Sequence, residues 1–245
     1  AGVPFTVRVA VQDTFGNTVG SDNTTSITVA TGASGTATLQ GTLTQTVVNG
    51  VATFNNLSYN KAETMNIAAI SVPAYTSATS TNVTVGTAAA NKLVLTAVPA
   101  ANTITAGTRG AYTVMVQDQF NNPQAAHGGV TIPLTSTSAS TSKKFYDAAT
   151  AGNIITQLVL ANGTASGNFW YYDETTGSYT IQATSAPLTA ATHSLTVASA
   201  AATRLAVTGG STMATGDTNV ITITAYDAFD NVAAATYTGD KSITM

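Results

Sequence analysis

The 245-residue sequence contains no cysteine. Disulfides, Cys-based zinc sites and thiol catalysis are therefore excluded. Charge is scarce too. Asp, Glu, Lys and Arg make up 8% of the chain, against roughly 25% in ordinary soluble proteins. Eleven acidic and eight basic residues leave a net charge of -3. No basic stripe is present to hold nucleic acid, and no Lys/Arg cluster suits an anionic membrane surface. No apolar run approaches the ~20 residues that a membrane-spanning helix needs. No stretch of ten or more residues carries a 3.6-residue apolar period, so long amphipathic helices are not expected. What remains is an apolar fraction of 44%, enough for real cores, and a surface of Thr, Ser, Asn, Ala and Gly.

One short pattern punctuates this composition. Gln12-Asp13-Thr14-Phe15-Gly16-Asn17 returns as Gln117-Asp118-Gln119-Phe120-Asn121-Asn122. It returns again as Tyr226-Asp227-Ala228-Phe229-Asp230-Asn231. The spacing is that of a small β-sandwich domain. Ahead of each Asp lies an alternating strand: Val7, Val9 and Val11; Tyr112, Val114 and Val116; Ile221 and Ile223. By that alternation Phe15 and Phe120 continue the inward face and are expected to be buried plugs.

Other repeats agree. Ile27 and Val29 match Val130, Ile132 and Leu134, and Asn49-Gly50 matches Asn162-Gly163 as a hairpin signal. Further strands are expected near Ala37–Leu43 and Thr46–Val48. Met65, Ile67 and Ala69 match Tyr179, Ile181 and Ala183. The small-residue joints Gly86–Ala90 and Ala198–Ala202 suggest linkers. The expected fold class is all-β: tandem immunoglobulin-like β-sandwich domains, end to end. Residues 1–86 form a sandwich lacking its first strand. Residues 87–198 form a complete one with an insertion near 143–155. Residues 199–245 form the N-terminal part of a third, stopping at Ile243-Thr244-Met245. Such breaks are expected of a chain that continues on both sides within a longer repeat polypeptide, the alternative being a neighbouring subunit that supplies the missing strands.

Asn49-Gly50-Val51-Ala52-Thr53-Phe54 with Leu57-Ser58-Tyr59 resembles the bacterial Ig-like repeats of large surface and secreted proteins. So does Ala1-Gly2-Val3-Pro4-Phe5 running into Asp13-Thr14-Phe15-Gly16-Asn17, and so does Phe169-Trp170-Tyr171-Tyr172-Asp173 with Gly177–Ile181. Invasin-like adhesins, surface-layer proteins and extracellular fibres reuse such modules. The resemblance implies an extracellular or cell-surface location and a structural role. The alternative is an adhesin module binding a glycan or protein on another cell.

Candidate chemistry is sparse. His127 and His193 read as surface histidines in loops. Gly32-Ala33-Ser34-Gly35 lacks the order of a nucleophile elbow, and no Walker or dinucleotide fingerprint occurs. Glu63 and Glu174, the only glutamates, mark the same loop twice and do not converge as an acid–base pair. No enzyme, catalytic residue, cofactor or metal site is expected. Two binding readings stand beside that. Calcium could use the corner oxygens, best at Asp227, Asp230 and Asn231, although an Asx-type turn is the preferred reading. Trp170 with Tyr172, or Phe169 with Tyr171, could face solvent as a sugar platform, the other pair being core. Asn23, Asn56, Asn82 and Asn162 begin Asn-x-Ser/Thr sequons. The expected partners are copies of itself or neighbouring repeats.

Overall fold

The computed structural model describes residues 1–98, 102–125 and 129–233. His127 and the expected strand at Ile243–Met245 lie outside the described residues. Among the described residues the architecture is all-β. By internal contacts the chain divides into two compact units. The first comprises Ala1–Ala90 and Gln117–Gln124; the second comprises Asn91–Val116 and the residues from Ala125 onward.

In the first unit, Phe5–Ala10 pairs antiparallel with Val51–Leu57, placing Val7 opposite Phe54 and Val9 opposite Ala52. A second sheet runs in the order Thr44–Thr46, Ser26–Thr31, Ile67–Val72, Ala78–Thr79. Period-two alternation sends Ile27, Val29, Phe54 and Ile67 into one shared core. Val11 joins it, with Val7 and Val9 half-buried against it. The turn at Asn49-Gly50 forms as its residue types require. Both residues hold positive φ, 52° and 77°, the backbone of a type I′ hairpin.

The expected strand at Ala37–Leu43 does not form, apart from one bridge between Gln40 and Ser58. Side chains take up its backbone instead. Thr31 Oγ1 donates to the Ala37 carbonyl and accepts from Leu39 N–H. The Tyr59 hydroxyl accepts from Ala37 N–H at 2.8 Å. A segment so satisfied has no need of a ladder. The neighbouring strand is Thr44–Thr46, earlier than the expected Thr46–Val48.

The second unit is built mainly on one continuous ten-stranded sheet. On one side, Arg109–Asp118 pairs with Ser166–Tyr172, which pairs in turn with Lys144–Tyr146. On the other, Leu188–Ala198 pairs with Gly177–Ser185, and that strand with Val130–Ser136. Residues of both sides meet in a single core. Of the two aromatic pairs that parity separates, Phe169 and Tyr171 are the core pair and fully buried, and Trp170 and Tyr172 are only half-buried. Phe169 stacks on Tyr112 at 5.6 Å and meets the edge of Phe145 at 5.8 Å. The insertion near 143–155 is no loose decoration. Its strands Lys144–Tyr146 and Ile154–Ile155 form a hairpin on the sheet edge, and Phe145 enters the core.

The chain enters this unit in the strand Ala90–Val98, which meets the exit strand Leu188–Ala198 in parallel at Lys92 and Thr189. Thr103–Thr105 runs beside Thr196–Ala198, residue by residue in the same direction. Thr196 N–H donates to Asn102 O at 2.7 Å, and Ala106 N–H to Ala198 O at 2.8 Å. Beyond Ala198, Arg204–Thr208 and Thr222–Tyr226 form an antiparallel ladder. Of the expected joints Gly86–Ala90 and Ala198–Ala202, the first ends where the strand Ala90–Val98 begins and the second begins where Leu188–Ala198 ends, and among the described residues no strand runs through either.

Candidate functional site

The three Asp-x-Phe-x-Asn segments fold into the same loop. In each, the Asp N–H donates to the Asn carbonyl, at 2.9 Å for Asp13, 3.0 Å for Asp118 and 2.9 Å for Asp227. The residue before the Asn takes positive φ: Gly16 at 84°, Asn121 at 71° and Asp230 at 67°. Gly, Asn and Asp are the residue types that tolerate that backbone. One Asp oxygen accepts N–H bonds from the Phe and the Asn. For Asp118 these are 2.8 and 2.9 Å, and for Asp227 both are 2.9 Å. The turn is thus built by the carboxylate itself.

The second and third corners add a further layer. The other oxygen of Asp118 accepts Ala88 N–H at 2.8 Å and Asn122 Nδ2 at 2.8 Å. In Asp227 it accepts Ala200 N–H and Asn231 Nδ2, both at 2.9 Å. Each carboxylate is buried and ringed by four N–H donors. Burial alone would raise its pKa; the donors outweigh that and hold it below the ordinary carboxylate value. The ring of donors also bears on calcium. A cation needs oxygen lone pairs pointed at it, and here N–H groups occupy those of Asp227. The second carboxylate of that corner, Asp230, lies exposed against Arg204 at 2.5 Å. The bonds present are those of the Asx turn.

The buried asparagines reach outward from their loops. Asn122 Nδ2 donates to Asn60 O at 2.8 Å, and its Oδ1 accepts Ala62 N–H at 2.8 Å. These residues lie within the first unit, which is why Gln117–Gln124 belongs to it. Asn231 repeats the pair inside the second unit. Its Nδ2 donates to Glu174 O at 2.7 Å and its Oδ1 accepts Thr176 N–H at 3.0 Å. One amide side chain therefore satisfies a carbonyl and an N–H two residues apart, as a strand neighbour would. Sequence reasoning missed these partners because they are backbone groups without a residue-type signature.

The phenylalanines depart most from expectation. Phe15 is 88% exposed and plugs no core. Phe120 is half-buried and Phe229 is 36% exposed. Strand parity ends at the Asp, where the carboxylate-capped turn re-aims the chain, so the Phe two residues on does not follow the inward face. Phe120 and Phe229 instead cover glycines. A Cβ on Gly2 would lie 2.2 Å from the Phe120 ring, and one on Gly107 would lie 2.3 Å from the Phe229 ring. Both glycines have positive φ, 74° and 78°. A signal for them does exist in the sequence: Gly2, Gly107 and Gly216 each stand eleven residues before the corner Asp.

The remaining candidates stay apart. His193 lies in the strand Leu188–Ala198, not in a loop, with its ring edge-on to Tyr112 at 5.3 Å. Desolvation lowers its pKa. Tyr172 is partly covered by the hairpin: its ring meets Tyr146, and its hydroxyl donates to Glu174 at 2.5 Å. The Arg109 guanidinium lies 3.4 Å over the Tyr146 ring. Glu63 is held by Thr36, Tyr59 and Lys61. Among the described residues no three His, Asp or Glu side chains gather as a metal site would need. Asn23, Asn56, Asn82 and Asn162 are all exposed.

No known protein family matches the sequence, and no curated protein matches it. Solved structures similar in fold include invasin, a bacterial integrin-binding protein, at 17% identity and a TM-score of 0.40, covering 94% of this chain and 44% of that one. Domains 4–9 of the surface layer protein SbsC match at 13% identity and a TM-score of 0.33, covering 91% of this chain and 31% of that one. A β-glycosidase from Bacteroides vulgatus matches at 10% identity and a TM-score of 0.36, covering 79% of this chain and 25% of that one. The chain thus spans less than half the length of each of these proteins.

Proposed function

We propose that this chain is part of a non-catalytic structural protein at the cell surface or outside the cell. In this reading it spaces or stiffens a layer, stalk or fibre. The observation that carries the reading is the parallel closure of the second unit. Tension applied through the chain loads first Ala90–Val98, paired in parallel with Leu188–Ala198 at Lys92 and Thr189, and then the parallel ladder of Thr103–Thr105 with Thr196–Ala198. The bonds of such a ladder are loaded together and resist in shear, whereas a hairpin pulled from its open end loses them one at a time. The uncharged Thr, Ser and Asn surface supports the same reading, because like molecules can pack with little repulsion.

Antibodies raised against the chain should label intact, unpermeabilised cells of the source organism, and brief protease treatment of those cells should remove the label. Labelling only after permeabilisation would overturn the proposed location. Saturable capture of one glycan or one protein by the purified chain would replace the structural role with the adhesin alternative.

A further inference from the structure

The first corner holds the same side chains as the other two but engages nothing. Asn17 Nδ2 bonds only its own Asp13, at 3.1 Å, and its Oδ1 accepts no hydrogen bond among the described residues. Phe15 lies bare. At the other two corners the same Asn and Phe meet one receiving surface, made four ways alike. A left-handed glycine lies under the Phe ring: Gly2 for Phe120, Gly107 for Phe229. Its N–H donates to a strand-end carbonyl, Tyr59 O or Asp173 O, both at 2.9 Å. The next residue, Asn60 or Glu174, offers its carbonyl to the Asn. Two residues further, Ala62 or Thr176 offers its N–H.

We propose that the exposed corner Asp13–Asn17 is a docking surface, and that its partner is the receiving end of another repeat of this type. The partner must present a left-handed glycine for the Phe15 ring, with a carbonyl and an N–H two residues apart for Asn17. Gly216 extends the argument. It has φ of 93° and nothing within 4 Å of where its Cβ would stand. Among the described residues, therefore, one corner stands without a glycine and one glycine without a corner. Glycine is required because a Cβ would enter the ring, and because other residues are strained at that φ. Hydrogen bonding to backbone groups explains how repeats of unlike sequence can share one joint. This inference rests on the tandem-repeat part of the proposed function and not on its cellular location.

Equal spacing makes the test simple. Joining residues 1–215 directly to residues 2–245 places Gly2 where Gly216 stood, and so gives the inner copy of Asp13–Asn17 a complete preceding repeat. In the joined chain Asn17→Ala, made only in the inner copy, should lower amide-exchange protection of the preceding Thr176 N–H by roughly tenfold, equivalent to about 1.4 kcal/mol. Phe15→Ala in the same copy should lower the unfolding temperature. Neither substitution should change the unfolding of the original 245-residue chain, where both side chains are exposed, so loss of folding cannot mimic the effect. Equal protection in the joined chain with and without Asn17→Ala would overturn the proposal. So would Phe15→Ala lowering the unfolding temperature of both chains alike. Either result would leave the surface-labelling experiment unaffected.

Discussion

Asp118→Ala should destabilise the protein by about 3–5 kcal/mol in urea unfolding, which is large for the loss of one loop residue. Four N–H groups converge on this carboxylate at 2.8–2.9 Å: Phe120, Asn122 by backbone and side chain, and Ala88. Hydrogen bonds to a charged group are each worth more than neutral ones, and buried donors left without a partner carry their own desolvation cost. The side chain is fully buried, so water cannot simply replace it. The exposed Asp13 makes the matching turn without Ala88's counterpart, and Asp13→Ala should shift the midpoint far less.

The pH dependence follows from the same bonds. The folded pKa of Asp118 lies below its unfolded value. Its contribution is therefore complete above the unfolded pKa of about 3.9 and is lost as pH falls through the folded pKa. Stability should be level from neutral pH down to about 5 and fall below about 4, less steeply in Asp118→Ala. A loss under about 1 kcal/mol for Asp118→Ala would mean that the turn holds without its carboxylate.

Phe169→Ala should cost about 3–5 kcal/mol, the range of large buried aromatics. Its ring is fully buried between Tyr112 and Phe145. The strand Ser166–Tyr172 lies between Arg109–Asp118 and the hairpin strand Lys144–Tyr146, so collapse into the void would have to move two neighbours. The effect should appear in the unfolding of the second unit. Phe120→Ala, at a half-buried ring over Gly2, should cost only about 1 kcal/mol. Equal losses at the two positions would contradict this division between core and corner.

These two sites mark what the sequence made legible. Period-two alternation identified Val114 and Val116 as inward-facing, and grouped Phe169 with Tyr171 on one face without fixing which face is buried, because a strand leaves a side chain only two directions. It failed at Phe15, where the Asx turn ends the strand. It also misplaced a strand at Ala37–Leu43, because Thr31, Tyr59 and Glu63 satisfy that backbone from a distance. The corner's partners were illegible for a different reason. Carbonyls and N–H groups belong to every residue, so Asn60, Ala62, Glu174 and Thr176 carry no compositional mark. Only the glycines, eleven residues before each Asp, betray the joint.

The structural role is tested most directly by pulling single molecules in two geometries. The chain lacks cysteine, so attachment points can be introduced freely. With handles at Asn91→Cys and Thr203→Cys, force enters through Ala90–Val98 and leaves through Leu188–Ala198, which run parallel at Lys92 and Thr189. The strands between the handles should then open in one cooperative high-force step, freeing roughly 390 Å of contour length at ~3.5 Å per residue. With handles at Ser178→Cys and Thr196→Cys, which are direct partners across an antiparallel pair, the same unit should open at clearly lower force. Equal opening forces in the two geometries would contradict a role in bearing tension.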